Sequence, residues 1–150
     1  MFMRNITLFL FWWFLFISIS TSSADNEINL DIDENGEYDA LSDGLLIIRY
    51  LFGLTGDDLV SGILGSNSLV VEPIEIKSKL DSMRSHLDVD ENGSVDALTD
   101  GLLILRYLFG LRGDSLVTQV IGTGAARNSS ESIEDYVKSM WLILQAKKPS

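Results

Sequence analysis

The sequence contains no cysteine and a single histidine, and both shortages narrow the range of functions. Without cysteine the chain has no disulfide, no thiolate ligand for a metal ion and no thiol nucleophile. His86 has no second histidine beside it, so the usual nitrogen-ligated zinc site is excluded as well. We interpret this histidine as a solvated residue at the end of a helix.

Basic residues are also scarce, because 11 lysines and arginines stand against 22 aspartates and glutamates, which gives a net charge of −11. A chain of this charge repels the phosphates of DNA and RNA, so nucleic acid is excluded as a partner. The acidic side chains offer oxygen atoms to cations. They are therefore candidate ligands for metal ions, and a small exported domain without disulfides commonly relies on bound metal for stability.

Long apolar runs are rare, and the one over residues 8–17 follows Arg4 and precedes small residues at 22–24. This pattern predicts a secretory signal peptide over residues 1–24 and a secreted or cell-surface protein of residues 25–150. Without Arg4 the net charge of that protein is −12, from 10 basic and 22 acidic residues. The alternative is an uncleaved anchor, which needs about 20 apolar residues to cross a bilayer. Because the run is shorter, we expect no stable membrane insertion.

One pattern occurs twice in the sequence, with an offset of 57 residues. Residues 30–65 align with residues 87–122 without a gap, and 25 of the 36 pairs are identical. Each copy opens with Leu-Asp-(Ile/Val)-Asp-Glu-Asn-Gly and continues into Asp-Gly-Leu-Leu-Ile-(Ile/Leu)-Arg-Tyr-Leu-Phe-Gly. Repetition at this period predicts two structural units that bury their apolar faces against each other.

Each apolar stretch predicts a buried helix of about ten residues, over residues 43–53 and 100–110. Ser42 or Thr99 is expected to cap the start of the helix, and a glycine is expected to close its end. The helices are apolar on nearly all sides, so we expect them to form the core.

A second helix is predicted to follow each buried one. Pro73 suits a first turn and the apolar spacing continues to Met83, which predicts a helix over residues 73–83. The matching C-terminal helix is predicted near residues 132–145. It either packs on the repeats or, with its tryptophan and nearby lysines, lies on a membrane surface. The connecting residues, 65–71 and 122–130, are predicted to be flexible.

The acidic stretches have the spacing of a calcium-binding loop. Oxygen-bearing side chains stand at positions one, three and five, and a glycine at position six permits a sharp turn. Position seven is expected to offer its backbone carbonyl, and position nine often acts through water. With the closing acid, the expected ligands are Asp31, Asp33, Asn35, Glu37, Asp39 and Asp43 in the first loop, and Asp88, Asp90, Asn92, Ser94, Asp96 and Asp100 in the second. Tyr38 and Val95, at position eight, are expected to pair as a small antiparallel bridge between the loops.

The acid that closes each loop stands one residue later than in the standard twelve-residue loop. Position twelve holds Ser42 or Thr99, and the carboxylates of Asp43 and Asp100 fall at position thirteen. We interpret this as a loop enlarged by one residue and closed by aspartate. The alternative is that the two acids only favour the first turn of the following helix.

Together these features resemble the duplicated repeats of type I dockerins. An Asp-x-Asp-x-Asn-Gly loop, a closing Asp and a leucine-rich helix with Arg-Tyr occur over residues 30–60 and again over 87–117. The resemblance implies two bound Ca²⁺ ions and a protein partner, the cohesin through which dockerins join polysaccharide-degrading enzymes to scaffolds. Dockerins carry polar contact residues late in the loop, where this chain has Ala40-Leu41 and Ala97-Leu98. These apolar pairs are either core residues or a different binding patch.

The expected fold is all-α, with two calcium loop–helix units of the EF-hand or dockerin type, related by pseudo-twofold symmetry and backed by further helices. Its expected divisions are the signal peptide 1–24, the first repeat 25–72, a helix with the second repeat 73–130, and a C-terminal helix and tail 131–150. The expected function is a secreted, non-enzymatic binding or assembly module stabilised by two Ca²⁺ ions, because no nucleophile and base are recognised. The alternative is a true dockerin that binds a cohesin in polysaccharide catabolism.

Overall fold

The computed structural model describes the backbone of residues 28–145 and the side chains of residues 28–140. Every regular element in this part of the chain is helical, which confirms the predicted all-α class. No strand or bridge occurs between residues 28 and 145, so the predicted pairing of Tyr38 with Val95 is wrong. The predicted signal peptide, residues 1–24, lies outside the described residues. None of the described helices combines the length and the apolar character needed to cross a membrane.

Both halves of the described chain have the same order of elements. The first half consists of a π-helical turn, Ala40–Gly44, and the helices α1 (Leu45–Leu51), α2 (Asp57–Val60) and α3 (Pro73–Met83). A 3₁₀ turn, Arg84–Leu87, then leads into the second loop. The second half consists of a π-helical turn, Ala97–Gly101, and the helices α4 (Leu102–Leu108), α5 (Asp114–Val117) and α6 (Ser130–Gln145).

A π-helical turn precedes each buried helix, so helical backbone begins three residues before the predicted start and has a different cap. Asp39, rather than Ser42, is the N-cap, because its carboxylate accepts hydrogen bonds from the backbone N–H groups of Leu41 and Ser42 at 2.8 and 2.7 Å. Asp96 caps the second helix in the same way. An aspartate satisfies N–H groups that the first turn leaves without partners. As a result Asp43 lies inside a helical turn and not ahead of it.

The centre of the fold is formed by α1 and α4, which approach each other at two glycines. A Cβ atom at Gly44 would lie 2.7 Å from the Leu105 side chain, and one at Gly101 would lie 3.2 Å from the Ile48 side chain. Ile48 and Leu105 are counterparts at the 57-residue offset, so each half presents its glycine to the same position of the other half. The missing side chains permit this close approach. The fully buried residues at this centre are Leu46, Ile47, Leu103 and Ile104.

The helices α3 and α6 cover this centre with the same spacing of apolar residues. The spacing of four and then three residues places the buried side chains on one face of each helix. These side chains are Ile76, Leu80 and Met83 in α3, and Ile133, Val137 and Met140 in α6. Helix α3 has the predicted bounds, and α6 begins two residues before the predicted start.

The one-turn helices α2 and α5 are not predicted from the sequence. Arg49 of α1 donates hydrogen bonds to the carbonyls of Asp58 and Ser61, at 3.1 and 3.0 Å, at the end of α2. Arg106 donates to the carbonyls of Leu116 and Thr118, at 3.1 and 2.9 Å, at the end of α5. A guanidinium group satisfies carbonyls that the end of a helix leaves without partners. The repeated arginine of the Arg-Tyr stretch therefore has a structural role.

Candidate metal centres

Backbone N–H groups orient the first carboxylate of the first loop. The Asp31 carboxylate accepts hydrogen bonds from the N–H groups of Asn35 and Gly36, at 3.0 and 2.9 Å, across a tight turn. Gly36 has a φ of +86°, in the region that glycine favours, which confirms the sharp turn predicted at this position. Glu34 also has a positive φ, +56°, which is uncommon for a residue with a side chain. The loop is thus folded tightly around the Asp31 side chain.

Asp43 joins the two ends of the first loop. One of its carboxylate oxygens accepts a hydrogen bond from the Ile32 N–H at 2.6 Å, and the other accepts from the Asp39 N–H at 3.0 Å. A residue that served only as a first-turn acid would leave these loop N–H groups to other partners. The structure therefore brings the residue predicted at position thirteen into the loop.

Three carboxylates meet in the first loop. Asp31, Asp33 and Asp43 each offer an oxygen atom, and these atoms lie within 4.8 Å of one another. All three residues are buried, and none of them takes part in an ion pair with another described residue. Two unit charges at this separation repel each other by about 3 kcal/mol at an effective dielectric constant of about 20. Three carboxylates at these distances are stabilised by a cation or by protons.

The pKa values of these carboxyl groups show that ionising all three together is unfavourable. Burial raises the pKa of Asp43 to about 7, and the neighbouring charges of Asp33 and Asp31 act in the same direction, although hydrogen bonds from backbone N–H groups lower it. Burial also raises the pKa of Asp31. In the absence of a cation the group therefore retains a proton at a pH where an exposed aspartate is ionised. A bound cation displaces such a proton.

The second loop repeats the arrangement. Oxygen atoms of Asp88, Asp90 and Asp100 lie within 4.8 Å of one another. Asp100 joins the ends of this loop by accepting hydrogen bonds from the N–H groups of Val89 at 2.6 Å and Asp96 at 3.0 Å. Burial raises the pKa of Asp100, as it does for its counterpart in the first loop. The duplicated sequence therefore builds the same carboxylate group twice.

The predicted ligands at positions five and seven lie beside these groups. The side-chain oxygen of Asn35 accepts a hydrogen bond from the Glu37 N–H at 2.7 Å, and that of Asn92 accepts from the Ser94 N–H at 2.8 Å. An amide oxygen has two lone pairs, so this bond leaves one for a cation. The side chains of Glu37 and Ser94 are exposed, which agrees with a role for their backbone carbonyls alone.

Asp39 and Asp96, the predicted ligands at position nine, act as helix N-caps. Both oxygens of each carboxylate accept hydrogen bonds from the helix that the residue caps. Neither residue belongs to the groups of three. A depression of about 180 Å³ beside the first loop is nevertheless lined in part by the residues of positions three, five, seven and nine, which are Asp33, Asn35, Glu37 and Asp39. Asp33 is the member of the carboxylate group that lines this depression, and contact of position nine through water stays a prediction.

A cationic side chain donates a hydrogen bond to a carbonyl at the start of each loop. The sequence did not predict these contacts. Lys79 of α3 donates a hydrogen bond to the Asp31 carbonyl and forms an ion pair with Glu34 at 3.1 Å. In the second loop Arg127, which precedes α6, donates to the equivalent carbonyl at 3.0 Å and lies 3.5 Å from the equivalent glutamate. Each loop is therefore tied to a residue that is distant in sequence.

The two cations stand at different positions of the repeat. The counterpart of Lys79 is Tyr136, and the counterpart of Arg127 is Val70. The Tyr136 ring occupies the helix position that Lys79 has in the first half, and the Arg127 guanidinium stacks on it, 3.7 Å from the ring centre. A comparison of the two copies at the 57-residue offset reveals this exchange as two non-conservative differences, but only the structure shows that they are connected.

The carboxylate at position three is supported differently in the two loops. Asp33 accepts a hydrogen bond from the Ser68 hydroxyl at 2.6 Å, whereas Asp90 accepts one from the Gly122 N–H at 2.6 Å. A Cβ atom at Gly122 would lie 2.7 Å from the same Asp90 oxygen, so only glycine fits there without movement. These contacts connect each loop to the segment that leads to the next helix.

Comparison of the chain with models of protein families, with curated proteins and with solved structures finds no match. The assignment of the two groups therefore rests on their geometry and chemistry. Both consist of carboxylate oxygens, which suit hard cations such as Ca²⁺ and Mg²⁺, and not the softer metals that prefer sulfur or imidazole.

Proposed function

We propose that the chain binds two Ca²⁺ ions, one in each loop, and that the ions stabilise a secreted, non-enzymatic binding or assembly module. The observation that carries this proposal is the pair of matching carboxylate groups, each with three oxygens within 4.8 Å and no ion pair to another described residue. A divalent cation relieves this repulsion. Two such ions change the net charge of the predicted secreted protein from −12, with 10 basic and 22 acidic residues, to −8.

Calcium suits these loops better than magnesium does. Ca²⁺ accepts about six to eight oxygen ligands in flexible geometry, whereas Mg²⁺ demands a tighter octahedral shell and keeps several of its waters. Each loop offers three carboxylates and, at positions five and seven, an amide oxygen and a backbone carbonyl. This mixed set of oxygens is typical of a calcium loop.

We further propose that the two halves are EF-hand-type loop–helix units, similar to those of dockerins and related by pseudo-twofold symmetry. The support is the reciprocal packing at the centre, where Gly44 faces Leu105 and Gly101 faces Ile48. These residues are counterparts in the two repeats. The same glycine-to-helix contact is therefore made in both directions between the two halves. The identity of 25 residues in 36 agrees with this arrangement.

Substitution at position three tests the assignment of the two sites. Asp33→Asn removes one charge from a fully buried carboxylate without a change in size, so we expect it to abolish binding in the first loop only. Asp90→Asn is expected to do the same in the second loop. Calorimetric titration of the full chain with Ca²⁺ should therefore give two ions for the parent, one for each single variant and none for the double variant.

The matched control is Glu37→Gln, which also removes one negative charge from the first loop. Because position seven is expected to bind through its backbone carbonyl, this variant should retain both ions. Two ions bound by the double Asp33→Asn/Asp90→Asn variant would contradict the assignment.

A true dockerin with a cohesin-like partner is a second candidate. The observation that favours it is that each loop exposes a leucine late in the loop, where dockerins place their contact residues, although those residues are polar in dockerins. Ala40 and Ala97 are buried, whereas Leu41 and Leu98 are 65% and 63% exposed. The same leucine is thus presented at the surface by both halves, and exposed apolar residues of this kind are available to a protein partner.

Titration with purified cohesin domains of several types tests this second candidate. If it holds, binding requires Ca²⁺ and is weakened by Leu41→Ser combined with Leu98→Ser. Phe52→Ser combined with Phe109→Ser removes another pair of exposed apolar side chains, 57% and 55% exposed, and serves as the control. A protein that binds two Ca²⁺ ions but no cohesin would reject the dockerin candidate and leave the calcium-binding module in place.

A further inference from the structure

Three apolar side chains close together in sequence are exposed in the connector before α3 and in the first turn of α3. Leu69 and Ile74 are each 77% exposed and Val71 is 46% exposed. We call these three residues the connector patch. Exposure of single apolar residues is ordinary, but several within six residues mark a candidate interaction site.

The local conformation explains why these three residues face outwards. Val70 is partly buried against the core, whereas its neighbours Leu69 and Val71 are exposed. Ile74 lies in the first turn of α3, on the side opposite the buried Ile76. The patch is therefore continuous with the exposed side of α3.

The connector patch exists only in the first half. At the 57-residue offset, the counterparts of Leu69, Val71 and Ile74 are Ala126, Asn128 and Glu131. The helices and loops on either side are closely similar in both halves. Because the second half folds in the same way without them, these apolar residues are not required for the fold that the two repeats share.

The connector that carries Leu69 is hydrogen-bonded to Asp33, a member of the first carboxylate group. The N–H groups of Leu69 and Val70 both donate hydrogen bonds to the Asp33 carbonyl, at 2.9 and 3.0 Å. The Ser68 hydroxyl bonds to the Asp33 carboxylate. Three consecutive residues thus depend on the position of one proposed calcium ligand, so the conformation of the patch is coupled to the state of the first loop.

The charges around the patch indicate what can bind there. Glu72 and Glu75 are exposed beside it, and neither carboxylate has an ion pair or hydrogen bond within the described residues. The lysines of α3 are engaged elsewhere, Lys77 with Asp81 and Lys79 with Glu34. A second copy of the chain, placed symmetrically on this patch, would set these free glutamates against each other. A partner with basic side chains would pair with them.

We propose that the connector patch binds an amphipathic segment of a partner protein that carries leucine-like and lysine or arginine side chains. The partner's apolar side chains cover Leu69, Val71 and Ile74, and its basic side chains meet Glu72 and Glu75. This inference rests on the proposed function, because Ca²⁺ in the first loop holds Asp33 and through it the connector. Binding of the segment is therefore calcium-dependent.

The test uses the full chain and a fluorescent 14-residue amphipathic peptide of leucine and lysine, with a leucine–glutamate peptide of the same pattern as its control. Fluorescence anisotropy is measured in Ca²⁺ and in EDTA. The leucine–lysine peptide is expected to bind saturably in Ca²⁺ and at least about tenfold more weakly in EDTA, while the leucine–glutamate peptide does not bind.

Two sets of variants locate the site. Leu69→Ala/Val71→Asn/Ile74→Ser leaves the charge unchanged and is expected to weaken peptide binding about tenfold or more, since it removes most of the exposed apolar area. Glu72→Gln/Glu75→Gln is expected to weaken binding and to reduce its salt dependence. Phe52→Ala/Phe109→Ala changes exposed apolar side chains outside the patch and is expected to leave peptide binding unaltered.

Calcium titration of the same proteins separates failure of this inference from failure of the proposed function. If the parent binds no Ca²⁺, the proposed function fails. If it binds two ions but the triple patch variant binds the peptide as well as the parent does, or EDTA has no effect, only this inference is overturned. Concentration-dependent dimers that the triple variant abolishes would overturn it in favour of a second copy of the chain.

Discussion

Removal of calcium by a chelator is expected to lower the melting temperature of the full chain by roughly 15–25 °C, or to abolish its cooperative unfolding. A ligand that binds only the folded state adds about 2.7 kcal/mol per site at a concentration of 100 times its dissociation constant. Two sites then contribute about 5 kcal/mol, which is comparable with the total stability of a small domain.

The architecture explains why so much stability depends on the ions. The central helices α1 and α4 have only seven residues each, and helices of this length are unstable without packing. Both begin directly at a loop whose three carboxylates repel one another. The chain has no disulfide to hold it together, because it has no cysteine. Without the ions, repulsion in the loops acts directly on the start of the core helices.

Thermal unfolding followed by circular dichroism, in Ca²⁺ and in EDTA, measures this effect. The control is the double Asp33→Asn/Asp90→Asn variant, in which the chelator should have no further effect because neither site is functional. If EDTA leaves the melting temperature and helix content of the parent unchanged although two ions were bound, the helical core is self-sufficient. The loops would then have a regulatory role.

In the absence of calcium, stability is expected to fall as pH rises from about 4 to above 7. Asp43 has a pKa of about 7 in the folded state, raised by burial from 3.8. The folded protein therefore binds a proton that the unfolded chain releases, and the stabilisation present below pH 4 is lost as pH rises through 7. For a fully buried group this shift corresponds to a loss on the order of 4 kcal/mol. The raised pKa values of Asp31 and Asp100 act in the same direction.

With calcium present the pH dependence is expected to be the opposite in the same range. Ca²⁺ binds the ionised carboxylates, so its affinity increases as the retained protons are lost. The difference in melting temperature between Ca²⁺ and EDTA should therefore widen from pH 5 to pH 8. Asp81 contributes with the opposite sign, because Lys77 lowers its pKa, but this pair is exposed and its effect is small.

Thermal melts at pH 5, 6, 7 and 8, with Ca²⁺ or EDTA, measure both trends. Asp43→Asn is the informative control, because it removes the titrating group and should flatten the profile in EDTA. Its amide cannot accept the hydrogen bonds of both Ile32 and Asp39, so its overall stability should be lower. A parent protein whose stability in EDTA rises from pH 5 to pH 8 would contradict the assigned pKa of Asp43.

The repeated loops could be recognised from sequence because their ligands are local. The Asp-x-Asp-x-Asn-Gly spacing predicts where Asp31 and Asp33 stand, and the second copy confirms that the spacing is not accidental. The structure places Asp43 with them, at the predicted position thirteen. The role of Asp39 was less accessible, because an aspartate at position nine suits both a metal ligand and a helix cap. The distinction depends on where the helix begins.

The sequence predicts the long helices of the fold well, but not the short helical turns. The bounds of α3 follow from Pro73 and from the spacing of buried residues, both of which are read directly from the chain. The π-helical turn Ala40–Gly44 has no such signal, since it results from the closing of the loop by Asp43. The one-turn helices α2 and α5 are too short to show a periodic pattern. They depend instead on arginines that reach them from α1 and α4.

The exchange between Lys79 and Arg127 restricts how the two halves can diverge. Replacing Lys79 by its counterpart tyrosine would remove the cation from the first loop without supplying another, because Val70 stands where the second half has Arg127. Replacing Val70 by arginine alone would place two cations at one loop. Only the joint replacement restores a single cation, now stacked on a ring. Substitutions at these two positions are therefore epistatic. A chain with only one of the two replacements has either no cation or two cations at the first loop.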